Sequence, residues 1–211
     1  MSDDLNLLVT QFVTLWAVLE PISHLSIFMA VTSELSDKGR RRAAVLATFF
    51  AFLILVFFIV VGQALLEAMG ISILSFQVAG GLILFVYAMT MIFTEMGKPQ
   101  ALEIDEDKHL AAMAVYPLAT PVIAGPGAIL SVMILANNSR HSIHDQVITI
   151  AVVAALMVIM LVLFFLAKYL LMVIRQSGAN LIRRIMGIIL AALAVDIVLT
   201  SLAKWLNLPP I

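Results

Sequence analysis

Residues 117–127 hold Pro117, Pro121 and Pro126 together with Gly125 and Gly127. They sit inside an uncharged run, Leu110 to Ala136, long enough to cross a bilayer as a helix. Proline removes an amide donor and collides with the carbonyl one turn back, and glycine weakens a helix interior. No continuous α-helix survives all five. In lipid, freed peptide groups are tolerated only where they are buried in protein or line a wet cavity. The stretch therefore reads as a broken transmembrane helix, with the break as a binding place. The competing reading is a kinked helix whose prolines serve packing alone.

The rest of the composition fits that setting. The chain is 63% hydrophobic and 12% charged, with the charges clustered between long apolar runs. That pattern specifies an all-α polytopic membrane protein, not a globular core. A net charge of −1 and the lack of a basic face speak against nucleic acid. Without cysteine there is no disulfide, thiolate metal site or cysteine nucleophile. The acidic start, MSDDLNLL, is unlike a signal peptide, so the first apolar segment is expected to remain. No segment shows the sustained alternation of a barrel strand.

Hydropathy and charge gaps place six spans: about Leu5–Thr32 (interrupted near Glu20-Pro21), Ala43–Leu66, Ile71–Phe93, Leu110–Ala136, Val147–Leu170 and Ile182–Trp205. One polar linker divides the chain, giving a first three-helix repeat over 1–94, a linker over 95–109 and a second repeat over 110–211. The first, third and fifth loops hold nine lysines and arginines against two, Arg140 and Lys204, on the other side. The positive-inside rule then puts the linker in the cytoplasm and both termini outside. Lys168, near the cytoplasmic end of the fifth span, is placed to snorkel.

The halves look alike. Glu20-Pro21 interrupts the first span as Thr120-Pro121 and Gly125-Pro126-Gly127 interrupt the fourth. Gly81 precedes Ala88 by seven residues in the third span, and Gly187 precedes Ala194 by seven in the sixth. Residues seven apart share a helix face, so each helix offers a small-residue strip for close approach. Three spans per half make the repeat inverted. Interrupted helices at matching positions of inverted halves point to a secondary transporter's binding site.

Pro117-Leu118-Ala119-Thr120-Pro121 followed by Ala124-Gly125-Pro126-Gly127-Ala128-Ile129 resembles the signature of the MarC family. Ala79-Gly80-Gly81-Leu82-Ile83-Leu84, Gly178 with Arg184-Ile185-Met186-Gly187, and Glu20-Pro21 with Ile27-Phe28 agree with it. The resemblance covers nearly the whole chain. It implies six helices, a bacterial inner membrane, and transport of small neutral amino acids such as alanine, glycine or serine. The first motif departs from the family: Glu20, Ser23, His24 and Ser26 stand where an Asp or Asn, Gly-Asn and a second proline are usual.

An amino acid zwitterion needs a place for a carboxylate and one for an ammonium. Restarting helices supply the first, because their leading amides lack intrahelical partners and the dipole favours an anion. The expected substrate site comprises Glu20, Pro21, Ser23, His24 and Ser26 at one break, with Thr120, Pro121, Ala124, Gly125, Pro126 and Gly127 at the other. Glu20, His24 and Asp196 are candidates for proton or ion coupling, with H⁺ or Na⁺ as the ion. For each a structural role competes: helix-end satisfaction for Glu20, a satisfied histidine for His24, an interhelical hydrogen bond for Asp196. No cofactor or metal site is implied, and His141 and His144 beside Asp145 read as solvated. A channel or an exporter of another small polar metabolite would use the same break. An intramembrane hydrolase is disfavoured, since there is no GxSxG or HExxH.

Overall fold

The structure, a computed structural model, describes residues 2–33, 35–93, 114–136 and 143–208. The linker over 95–109 and residues 137–142, with Arg140 and His141, lie outside the described residues. The elements in chain order are α1 (Ser2–Leu19), α2 (Pro21–Val31), α3 (Asp37–Ala68), α4 (Ile73–Phe93), a π-helix (Ala114–Ile123), α5 (Pro126–Leu135) and α6 (Ile143–Trp205). Among the described residues there are no strands.

Among the described residues, five stretches are long and apolar enough to cross a membrane: Leu5–Leu25, Asp37–Ala68, Ile73–Phe93, Asp145–Val173 and Asn180–Trp205. The π-helix and α5 form a further apolar unit, divided into short pieces. The interruption expected at Glu20-Pro21 divides α1 from α2. The fifth and sixth spans, expected as separate helices, instead run as one helix, α6, of 63 residues. At ~1.5 Å per residue it would measure about 95 Å if straight, roughly three hydrocarbon thicknesses. A straight rod could not set Lys168 beside Arg41 and Ser201 beside Gln77, because only a short turn joins α3 to α4. The helix therefore turns back between Val173 and Asn180, and its two apolar stretches stand as the two separate spans expected. The helix continues between them because no proline intervenes, and Gly178 alone costs only about 1 kcal/mol.

α3 starts earlier than its apolar run. The Ser36 side chain accepts from the Gly39 amide at 3.2 Å, and Asp37 lies in the first turn, where the dipole favours an acid. The interior of the bundle is lined by small residues. Ala43, Ala47 and Ala51 recur every fourth residue of α3 and are fully buried, whereas Val45, Phe49, Leu53 and Phe57 are exposed. Lipid tails are as apolar as leucine, so bulky side chains gain little by turning inward, while small ones let helices approach.

α4 and the second half of α6 show that approach most clearly. A side chain on Gly81 would lie 3.2 Å from the Ala194 carbonyl and 2.7 Å from Val198 Cγ2. One on Gly187 would lie 3.2 Å from the Ala88 carbonyl and 3.0 Å from Met91 Cβ. Each glycine faces the other helix's alanine, so the pairing is reciprocal and antiparallel. Polar contacts mark both ends of the seam: Ser201 to Gln77 at 2.9 Å, and the Arg183 guanidinium to the Thr90 carbonyl at 2.9 Å. Gly81→Val and Gly187→Val should each destabilise the protein by about 1–3 kcal/mol, the usual cost of overpacking. Thermal unfolding in detergent checks this, with similar drops in Tm expected for both.

Candidate functional site

The first break turns on one residue. Glu20 adopts the left-handed conformation, φ 42° and ψ 58°, which costs a side-chain-bearing residue about 1–2 kcal/mol. Its amide donates to the Trp16 carbonyl at 3.0 Å, closing α1. Its carbonyl accepts from Ser23 at 3.0 Å and His24 at 3.4 Å, opening α2. Pro21, which has no amide hydrogen to satisfy, takes the first position of α2. The backbone is thus satisfied through the bend, and the side chains are left over. Glu20, Ser23 and His24 are 3%, 7% and 2% exposed. Among the described residues, neither Glu20 carboxyl oxygen, nor the Ser23 hydroxyl, nor either His24 ring nitrogen has a partner in hydrogen-bond geometry. The Ser23 hydroxyl is close enough to influence the carboxyl electrostatically, and Arg183 and Tyr87 lie within electrostatic range of it. The Ser26 side chain lies outside the described residues.

The second break falls later than Pro121. Residues 114–123 widen into a π-helix, which the Ala124 amide closes by donating to the Ala119 carbonyl, five residues back, at 2.8 Å. Pro117 and Pro121 carry no amide hydrogen, and an α-turn would set each against the carbonyl four residues back. A five-residue turn avoids that collision and keeps the helix going. It ends at Ala124-Gly125, and α5 restarts with Pro126 in its first position. The proline restart comparable to that at Glu20-Pro21 is therefore at Gly125-Pro126, while Thr120-Pro121 stay inside the π-helix. The interval from Pro21 to Gly81 and that from Pro126 to Gly187 then differ by a single residue. Neither α2 nor α5 has a side-chain hydrogen bond at its cap.

The two breaks are neighbours. Val18, just ahead of the first, has its Cγ1 3.7 Å from where a side chain on Gly127 would begin, and Leu84 touches the same point. A crevice of about 20 Å³ opens there, lined by Val18, Leu84, Tyr87, Val122, Gly125 and Ala128. That is space for about one water molecule, so a larger guest needs the two breaks to part. Ala124 and Gly127 are buried, Thr120 and Gly125 half-buried, and Pro126 exposed. The side chain of Pro121 lies outside the described residues.

Asp196 is not brought to this site. It is exposed, two residues beyond the fully buried Ala194, and so it points away from the face that α6 packs on α4. Two polar residues that spacing did not single out are buried on α1 and α5. Gln11 on α1 is 0% exposed and Ser131 on α5 is 3% exposed, and neither side chain has a hydrogen-bond partner. Gln11 shares the inward stripe of α1 with Leu15 and Val18, and a polar residue on such a stripe is the signal that could have found it.

The profile of MarC family integral membrane proteins matches residues 5–206. The chain belongs to the MarC family. It is 32% identical over 203 residues to a UPF0056 membrane protein of Aquifex aeolicus, covering 95% of this chain and 94% of that one. It is 33% identical over 206 residues to a UPF0056 membrane protein of Archaeoglobus fulgidus, covering 96% and 95%. Against the UPF0056 membrane protein YhcE of Escherichia coli it is 33% identical over 193 residues, covering 90% and 89%. No solved structure matches the chain. For this MarC protein, Glu20→Gly should raise Tm, because glycine relieves the left-handed backbone and removes a buried carboxyl. An unchanged or lower Tm would contradict strain at the break.

Proposed function

We propose that this MarC protein is a secondary transporter of small neutral amino acids, not an enzyme. It works by alternating access in a bacterial inner membrane, with both termini outside and coupling to H⁺ or Na⁺. One observation carries the reading: two helices, α2 and α5, each restart with a proline and no side-chain cap, and the two breaks adjoin where Val18 at the end of α1 approaches Gly127 at the start of α5. The leading turns of α2 and α5 suit the substrate carboxylate, and Glu20 suits the ammonium or a coupling cation. Gly125, Gly127 and Ala128 at the start of α5, opened by parting of the two breaks, would favour small side chains over bulky ones. The reciprocal contact of Gly81 with Ala194 and Gly187 with Ala88 is what two inverted three-helix halves would produce. Their rocking would open the crevice to one side and then the other.

Counterflow of labelled alanine in proteoliposomes tests the proposal. A carrier accumulates label transiently against an unlabelled pool, whereas a channel for the same metabolite does not. Glu20→Gln should slow counterflow at least tenfold. Asp196→Asn should leave it near the wild-type rate, since that side chain faces away from both breaks. The reverse ranking would move the coupling site to α6.

A further inference from the structure

A second feature lies away from the crevice, in the groove between α3 and the first half of α6. At its basic end is a recess of about 100 Å³ lined by Arg40, Arg41, Lys168 and Tyr169, with Asp37 the one acid among its lining residues. Arg40 is only loosely held there. Its terminal nitrogens reach Asp37 and the Thr32 carbonyl at 3.4 Å each, and its buried Nε has no partner. Arg41 and Lys168 are exposed. Three cations against one carboxylate leave the recess with a surplus of two positive charges.

Along the same two helices the groove turns apolar. A second recess of about 310 Å³ is lined by Val45, Phe49 and Phe52 from α3, and by Ala154, Met157 and Leu161 from α6. The register is antiparallel and continuous: Arg41 leads to Val45, Phe49 and Phe52, while Lys168 leads back to Leu161, Met157 and Ala154. From Arg41 to Phe52 the helix rises roughly 16 Å at 1.5 Å per residue, about half of a ~30 Å hydrocarbon core. Tyr169, 67% exposed, stands beside the cations, where an aromatic ring meets the interface.

We propose that this groove is a binding site for one anionic phospholipid. The phosphate sits among Arg40, Arg41 and Lys168, and an acyl chain lies along the apolar recess. Basic pockets between membrane helices suit anionic headgroups. The apolar continuation, matched to one leaflet, assigns the site to a lipid and not to a free phosphate. The site stands independently of the transport reading.

Native mass spectrometry of the full-length protein, released from detergent with phosphatidylglycerol or phosphatidylcholine, tests the assignment. Wild type should retain one phosphatidylglycerol at least tenfold more than phosphatidylcholine. Arg41→Gln with Lys168→Gln, both at exposed positions, should remove that preference. Ala154→Trp should displace the lipid by filling the groove while the basic recess stays intact. Equal retention of the two lipids by wild type would overturn the proposal, as would undiminished phosphatidylglycerol on the double variant. Full competition by millimolar glycerol phosphate or inorganic phosphate would also overturn it, by reducing the site to a phosphate pocket. Far-ultraviolet circular dichroism and Tm of each variant separate lost binding from lost folding.

Discussion

A peptide group in hydrocarbon has no water to turn to, and the architecture follows from meeting that requirement. At Glu20 the chain leaves one helix and enters the next without stranding the backbone of the bend, because a single left-handed residue serves both. At residues 114–123 the same requirement is met by widening the turn. In both cases the irregular backbone is kept inside the bundle, against Leu15, Leu19, Leu118 and Ile123, all nearly or wholly buried. The crevice at Val18 and Gly127 forms where these two solutions meet.

Side chains were not accommodated as thoroughly. Gln11, Glu20, Ser23, His24 and Ser131 bury polar atoms without protein partners in hydrogen-bond geometry. An unsatisfied buried polar group costs about 1–3 kcal/mol, so the three that adjoin the first break, Glu20, Ser23 and His24, are an expense. The surrounding frame tolerates the expense because its small residues bring helices into close contact, most of all along the seam between α4 and α6.

Much of this was legible in the sequence where the chemistry is local. Proline and glycine announce broken helices whatever surrounds them, and the Gly81–Ala88 and Gly187–Ala194 strips announce close approach. The position of the second break was not legible, because whether Pro117 and Pro121 end a helix or widen it depends on a register that residue type does not encode. Nor was the continuity of α6: Arg175 and Gly178 read as a connector, yet nothing there forbids a helix. Asp196 was misplaced because hydropathy gives depth, whereas the choice of face belongs to α4 and its glycines. Gln11 and Ser131 escaped because a lone polar residue in an apolar helix has no spacing to flag it.

The bend at Glu20 has a mechanical consequence. α2 is 11 residues long, about 16 Å, and it joins α1 through the dihedral angles of a single residue. A rotation of 10° there would sweep the Val31 end through about 3 Å, with Phe28 stacked on Phe164 at 4.2 Å as its point of purchase on α6. A charge arriving at the carboxyl of the residue that forms the hinge would therefore act at the fulcrum of a lever, where the smallest change in geometry yields the largest displacement.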